Sequence, residues 1–115
     1  MIKSGQVILF NFPQTNQEQG KLRPALLLEK TPGSHPDWLL CMISSQLHHE
    51  VKGFDETIHE SDEDFSDSGL KTTSLIRIGR LAVVEENLLL GAIGKISSQR
   101  LKRIRLKLAK WIRGR

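Results

Sequence analysis

The sequence has little cysteine and no long apolar stretch. Its single cysteine, Cys41, cannot form an internal disulfide, which fits a reducing compartment. Cys41 lies in the apolar stretch 38–43, so packing in a core is favoured over reactivity. No apolar run approaches the roughly 20 residues that a membrane-spanning helix needs, and residues 1–12 lack the cleavage site of a signal peptide. We therefore expect a cytoplasmic protein with no membrane partner.

Motifs for metals and nucleotide cofactors are also missing. There is no glycine-rich phosphate loop ending in Lys-Ser/Thr, no GxGxxG, no paired CxxC and no HExxH. His48 and His49 are adjacent, so on a strand they would point to opposite faces. The acidic run 60–67 lacks the alternating ligands of a calcium loop. The sequence predicts no metal and no cofactor.

The charges that are present are unevenly distributed. The chain of 115 residues has a net charge of +4. Residues 55–67 hold seven carboxylates and no Lys or Arg, whereas residues 100–115 hold eight Lys or Arg and no acid. A basic pole suggests a polyanionic or acidic partner. The alternative is that the two poles neutralise each other within the fold or across a dimer.

Most of the chain has the pattern of short strands. Runs rich in β-branched and apolar residues, bounded by Gly and Pro, predict strands at 6–12, about 25–29, 38–44 and 74–79. The near-continuous apolar run 38–44 suggests burial on both faces. Residues 46–70 read as a long polar loop with one short strand, about 57–60. The β pattern continues to residue 96, with a turn near 85–87 and bends or close backbone approach at Gly91 and Gly94.

The periodicity becomes helical at the C-terminal end. Ser97 or Ser98 can cap a helix over 98–113. Its apolar residues recur at helical spacing and predict a stripe that docks on the sheet: Leu101, Ile104, Leu108, Trp111 and Ile112. We expect one domain, 1–115, that is mainly β (α+β): a small β barrel of five to seven strands with a C-terminal amphipathic helix.

Polar residues collect where the predicted strands begin and end: Glu18, Gln19, Arg23, Ser44, Ser45, Gln46, Lys71, Thr72, Thr73 and Arg77. Strand ends converge in a compact barrel. A guanidinium can donate two parallel hydrogen bonds to a phosphate, and a serine hydroxyl can add a third. The alternative for Arg23 is a surface arginine paired with Glu18, and the serines have an alternative as strand-end caps.

Four segments in this order resemble the MazF/PemK-type toxins of bacterial toxin–antitoxin systems: SGQVILFNFP, EQGKLRPALLL, MISSQ and GLKTTSLIRIGRL. The resemblance implies an SH3-like barrel that forms a homodimer. It also implies a metal-independent endoribonuclease that cuts single-stranded RNA at short sequences and leaves a 2′,3′-cyclic phosphate. A small antitoxin with an acidic, largely disordered tail would hold it inactive.

The resemblance also assigns roles to residues. Arg23 matches an arginine at the scissile phosphate, Ser44 a hydroxyl on the same group, and Arg77 a general acid or charge stabiliser. Glu18, Gln19 and Gly20 match the loop that borders the RNA groove. The remaining predicted RNA contacts are Lys21, Ser45, Gln46, Lys71, Thr72 and Thr73.

Two positions depart from the family pattern. Gly79 stands where some relatives carry a carboxylate, and Gln17 where some carry a histidine, so the general base is unassigned. His48 or His49 could reach the groove. One alternative function is a catalytically weak or inactive barrel that binds RNA or a protein such as a topoisomerase. Another is binding of the basic helix to membrane surfaces or duplex DNA.

Overall fold

In the described part of the chain, six antiparallel strands and a C-terminal helix build the fold. The computed structural model describes residues 2–11 and 22–114. The strands are β1 (Gln6–Asn11), β2 (Leu22–Lys30), β3 (Asp37–Ser44), β4 (Glu56–Ile58), β5 (Ser74–Glu85) and β6 (Ala92–Lys95). The helices are α1 (Phe65–Ser68) and α2 (Ser98–Arg113), and 3₁₀ turns cover Leu47–His49 and Glu86–Leu88.

The strands form one curled sheet in the order β4-β5-β3-β2-β1-β6. Helix α1 follows β4 and packs against β6, so it brings the two sheet edges together. This seam requires glycine, because a Cβ at Gly94 would overlap the backbone of Asp67 and Ser68. The predicted close approach at Gly94 is confirmed. The predicted β fold with a terminal helix is also confirmed, as a half-barrel.

Strand bounds differ from the prediction at two places. β2 begins at Leu22, not near Ala25, so Pro24 lies inside it, opposite Leu9. The proline is tolerated because pairing with β3 begins only at the next residue, Ala25 opposite Met42. β4 covers Glu56–Ile58, shifted by one or two residues from the predicted strand.

Two apolar clusters lie on opposite faces of the sheet. The first packs between the sheet and α2 and includes Val7, Ile43, Ile76, Ile104 and Leu108. The second lies on the other face and consists of Ile8, Phe10, Ala25, Leu27, Trp38 and Leu40. β3 contributes to both clusters, which confirms the predicted burial of this strand on two faces.

Helix α2 begins where the sequence predicts, but its apolar stripe docks only in part. The Ser97 hydroxyl accepts a hydrogen bond from the Arg100 backbone N–H at 3.1 Å. Ile104 and Leu108 are buried, whereas Trp111 and Ile112 are 53% and 68% exposed. The prediction that these last two dock on the sheet is wrong. The cluster that α2 covers ends at Leu108, and Trp111 instead lies edge-to-face on Phe54.

The acidic and basic poles meet inside the fold, around Arg100. This buried guanidinium donates to Asp64 at 2.9 and 3.1 Å, to Asp62 at 2.9 Å and to Glu56 at 3.1 Å. Arg103 also forms an ion pair with Glu56 at 3.1 Å. Segment 46–70 is therefore not simply the polar loop that the sequence suggests. Of the two interpretations of the charged poles, neutralisation within the fold is the one that the structure shows.

This network shifts the ionisation of its carboxylates. Burial acts to raise the pKa of Asp64, but the hydrogen bond from Arg100 and the backbone N–H of Ser97 outweigh it and lower that pKa to about 2. Glu56 follows the same pattern, since burial is outweighed by Arg103 and Lys107, and its pKa is lowered. The acidic segment is thus held ionised against α2.

Candidate functional site

One end of the sheet, where strands begin and end, carries the predicted polar residues that belong to the described chain. The end of β1 pairs with the start of β2, as Asn11 with Leu22. The end of β3 pairs with the start of β5, as Ser44 with Leu75. We name this end of the sheet the polar edge; it comprises Arg23, Ser44, Ser45, Gln46, Lys71, Thr72, Thr73 and Arg77. The predicted convergence of these strand ends is what the topology produces.

Arg23 lies at the centre of the polar edge. It is opposite Phe10 in β1. The pairing of β2 with β3 begins at Ala25 and Met42, so Arg23 and Ser44 lie two residues beyond that pair and project from the same face of the sheet. The Arg23 Nε is buried and has no hydrogen-bond partner among the described residues. A buried donor without an acceptor costs about 1–3 kcal/mol, so this atom fits a bound anion better than a structural role.

Ser44 offers a hydroxyl beside that guanidinium. The residue is 7% exposed. Its Oγ accepts a hydrogen bond from the Gln46 backbone N–H at 3.0 Å, which leaves the hydroxyl proton available for donation. The serine is therefore a strand-end cap, and it also keeps a donor for a ligand.

Arg77 projects from the same face of the sheet. It pairs with Met42, which in turn pairs with Ala25. This face is opposite to the one that buries Ile76 against α2. The Cα atoms of Arg77 and Arg23 lie roughly 12 Å apart, because two spacings between neighbouring strands and one step of two residues along β2 separate them. Two arginine side chains can span that distance and converge on one phosphodiester.

A buried carboxylate fixes the backbone next to Arg77. The pairing of β5 with β3 is irregular, since Met42 faces Arg77 and Cys41 faces Leu81. The Asp55 carboxylate accepts hydrogen bonds from the Ile78 N–H at 3.0 Å and the Val51 N–H at 2.9 Å. Asp55 thus ties this bulge to the segment after the turn Leu47–His49. The sequence interpretation missed Asp55. The one sign of its role in the sequence is that this acid stands beside an apolar residue.

The other predicted contacts at the polar edge differ in availability. Ser45, Gln46 and Lys71 are exposed. Thr72 donates to the Glu60 carboxylate at 3.3 Å, and the Thr73 hydroxyl accepts from the Glu60 N–H at 3.2 Å. The two threonines therefore hold the loop after β4, and only the first three side chains are unengaged in the described part of the chain.

Several predicted residues lie outside the described residues. These are Gln17, Glu18, Gln19, Gly20 and Lys21, and with them the alternative pairing of Arg23 with Glu18. Gly79, which replaces a carboxylate of some relatives, is exposed and faces the Phe54 ring.

The two adjacent histidines lie near the arginines of β5. The imidazole rings of His48 and His49 meet edge to face, with centroids 4.2 Å apart. The pKa of His49 is lowered, first by desolvation and then by the charges of His48, Arg77 and Arg80. His49 is therefore within electrostatic range of the polar edge.

A cleft of about 770 Å³ lies at the opposite end of the sheet. Its lining includes Gln6, Asp64, Lys95 and Ser97, where β1 begins and β6 ends. It does not include the residues of the polar edge. Within 2–11 and 22–114, no group of three or more His, Cys, Asp or Glu is arranged to hold a metal ion. No helix in those ranges is long and apolar enough to span a bilayer.

Comparison with known proteins gives one family and a set of similar folds. Residues 3–112 match the family of PemK-like, MazF-like toxins of type II toxin–antitoxin systems. A crystal structure of MazE-MazF from Deinococcus radiodurans is similar with a TM-score of 0.66 and 23% identity, covering 96% of this chain and 95% of that one. An endoribonuclease in complex with its cognate antitoxin, from Mycobacterial species, has a TM-score of 0.66 and 13% identity, covering 97% and 95%. No curated protein matches the sequence.

Proposed function

This chain belongs to the PemK-like, MazF-like toxins of type II toxin–antitoxin systems, and from that premise we propose that it is an endoribonuclease that cleaves single-stranded RNA without a metal ion. One observation carries the proposal. The Arg23 Nε is buried without an acceptor among the described residues, on the same face as Ser44 and Arg77. A phosphodiester supplies the acceptor oxygens that this arrangement lacks.

The reaction we propose is a transesterification within the RNA. The 2′-oxygen forms a bond to phosphorus, the bond from phosphorus to the 5′-oxygen breaks, and the products are a 2′,3′-cyclic phosphate and a 5′-hydroxyl end. Negative charge builds on the non-bridging oxygens during the attack. Arg23 and Arg77 hold these oxygens, and Ser44 donates a hydrogen bond to one of them.

The arginines act through charge rather than by proton transfer. A guanidinium with a pKa above about 12 is a strong electrostatic clamp and a poor proton donor. Its planar donors match two oxygens of a phosphate, which a lysine cannot do. Pro24 fixes φ near −65° and disfavours helical backbone at Arg23, so the strand presents the clamp in one orientation.

The polar edge also fits the binding of a single strand. Ser45, Gln46 and Lys71 are exposed beside the clamp and can bond phosphates and the edges of unstacked bases. We propose these as RNA contacts, together with Glu18, Gln19, Gly20 and Lys21. Thr72 and Thr73 would position the neighbouring loop. With aromatic residues at 5% of the chain, base recognition would depend on hydrogen bonding more than on stacking.

We propose two protein partners. The similar mycobacterial structure is a complex with a cognate antitoxin, which supports an antitoxin for this chain. An acidic antitoxin tail would compete with RNA for Arg23 and Arg77. We also expect a homodimer, which light scattering of the purified protein would test.

Cleavage of a long mixed-sequence RNA in EDTA tests the function directly. Primer extension should map cuts at a short recurring sequence, and the upstream fragments should end in a 2′,3′-cyclic phosphate. Arg23→Ala should lower the cleavage rate by at least about 10²-fold. Arg113→Ala is the matched control, because Arg113 is an exposed arginine at the end of α2. Equal rates for Arg23→Ala and the wild type would refute the site.

The competing function is a barrel that binds RNA or a protein target without cutting. Gly79 supports it, since that position offers no carboxylate for proton transfer. Under this function the protein would shift the mobility of the RNA in a gel, with Arg23-dependent affinity, and no cyclic phosphate would form.

A further inference from the structure

The turn that carries the two histidines lies against the irregular part of β5. The 3₁₀ turn Leu47–His49 follows β3 directly and contacts β5. β3 ends at Ser44, so only two residues separate that hydroxyl from the start of the turn. The turn therefore begins at the polar edge.

A buried carboxylate and two backbone bonds fix this turn. The His49 N–H donates to the Gln46 carbonyl at 3.1 Å, and the Glu50 N–H donates to the Leu47 carbonyl at 3.2 Å. One residue later, the Val51 N–H donates to Asp55, whose other carboxylate oxygen accepts from Ile78. A single side chain thus connects the histidine segment to the residue after Arg77.

The charges around His49 favour its neutral form. Desolvation lowers the pKa of His49, and the positive charges of His48, Arg77 and Arg80 lower it further. Arg77 and Arg80 of β5 are close enough to act on it electrostatically, and Glu50 and Lys52 are the nearest charged residues along its own segment. A histidine that is neutral at pH 7 has a nitrogen lone pair and can accept a proton.

We infer that His49 is the general base of the cleavage reaction, taking the proton from the attacking 2′-hydroxyl. This inference rests on the proposed endoribonuclease function. It assigns the proton transfer that Arg23 and Arg77 cannot perform. It also accounts for activity in a chain that has Gly79 and Gln17 where some relatives have a carboxylate and a histidine.

The proton balance is complete without a further reactant. The neutral imidazole of His49 takes the 2′-hydroxyl proton as the oxygen–phosphorus bond forms. The departing 5′-oxygen takes a proton from solvent, and the imidazolium later returns one proton to solvent. Arg77 stays charged throughout and stabilises the phosphorane-like oxygens.

His48 is the matched control for His49. Both are exposed residues of the same turn, and their rings are in contact. Only His49 is the acceptor in the proposed reaction. Substitution of either by glutamine leaves the backbone bonds of the turn in place, because those bonds use main-chain atoms.

The experiment is the pH dependence of single-turnover cleavage of one RNA oligonucleotide between pH 5 and 9. In the wild type, kcat/KM should fall toward acidic pH as His49 is protonated, with a midpoint below the ordinary pKa of histidine. His49→Gln should lower the rate at pH 7.5 by about 10²–10⁴-fold and remove this acidic limb. Free imidazole should restore part of the rate to His49→Gly. His48→Gln should keep a rate near that of the wild type at pH 7.5 and should keep the acidic limb, moved toward higher pH because the charge of His48 no longer lowers the pKa of His49.

Failure of this inference is distinct from failure of the function. If the wild type cuts and Arg23→Ala does not, but His49→Gln keeps the wild-type rate and acidic limb, the endoribonuclease stands and His49 is not its base. An equal loss in His48→Gln and His49→Gln would likewise overturn the assignment. If the wild type yields no cyclic phosphate, the proposed function and this inference both fall.

Discussion

Arg23 combines an ordered backbone with a buried Nε that has no hydrogen-bond acceptor among the described residues. Arg23 is inside β2, opposite Phe10, and Pro24 restricts its backbone. Its buried Nε lacks an acceptor within the described ranges. Such an arrangement stabilises the protein less than an apolar side chain of similar volume would. The residue is better explained by ligand binding than by folding.

Replacing Arg23 by methionine should therefore separate activity from stability. We expect Arg23→Met to abolish RNA cleavage and to leave the free energy of unfolding unchanged or higher by up to about 1 kcal/mol, because it removes a buried donor that has no acceptor in the described part of the chain. Urea unfolding of both proteins, with the cleavage assay in parallel, measures the two effects. A loss of stability above about 2 kcal/mol would mean that Arg23 is mainly structural.

Asp55 is a second residue with a defined role, because its carboxylate holds backbone groups of two other segments. Its carboxylate accepts from Ile78 and Val51, and it is 6% exposed. Asp55→Ala would leave two N–H groups without their acceptor, so we expect a loss of about 3 kcal/mol in unfolding free energy. Asp67→Ala, which removes an exposed carboxylate, should change the urea midpoint little. Equal midpoints for the two variants would contradict the role of Asp55.

At the scale of elements, apolar periodicity predicted most strands and the start of α2. The run 38–44 and the cap at Ser97 could be identified because local pattern and local chemistry determine them. Trp111 and Ile112 could not be placed, since their helical spacing is correct but the underlying cluster ends at Leu108. The extent of a docking surface is a tertiary property that periodicity does not contain.

The predicted strand ends converge as expected, but their supports could not be predicted. Arg23 and Ser44 could be grouped from the sequence because both flank predicted strands. Asp55 and Arg100 could not, because their partners are 23 and up to 44 residues away in the chain. Buried hydrogen bonds and ion pairs over such separations leave no periodic signal in the sequence.

Helix α2 is attached to the acidic segment chiefly by Arg100. The guanidinium contacts Glu56, Asp62 and Asp64. Removing it leaves the buried Asp64 without its charged partner and leaves Glu56 with Arg103 and Lys107 alone, and breaking a buried pair in this way typically costs about 3–5 kcal/mol. We expect Arg100→Met to lower the unfolding free energy by that amount in urea titrations. Lys102→Met, on the exposed side of the same helix, should cost less than about 0.5 kcal/mol. A similar midpoint shift for both substitutions would rule out a special role for Arg100.

For the whole molecule, the mutual neutralisation of the acidic and basic poles makes the free energy of unfolding depend on pH. The pKa of Asp64 is about 2 in the folded protein, below its ordinary 3.8, and the pKa values of Glu56 and Asp62 are also lowered. The unfolded chain therefore binds protons first as pH falls. Stability from these groups is full above about pH 5 and is lost progressively between about pH 4 and pH 2.

Urea unfolding at pH 6 and pH 3 measures this dependence. The wild type should lose stability at the lower pH, and Arg100→Met should lose less between the two, because its carboxylates no longer gain from the guanidinium. A wild-type midpoint that is the same at both pH values would contradict the folded-state charges described above.

Cys41 gives the protein a built-in reporter. It is fully buried, and burial raises the pKa of its thiol, so the nucleophilic thiolate is scarce in the native state. Alkylating reagents would reach it only when the apolar cluster between the sheet and α2, to which Cys41 belongs, opens. The rate at which Cys41 is alkylated thus measures how often the buried core opens. The measurement works in any variant, because no further cysteine has to be introduced.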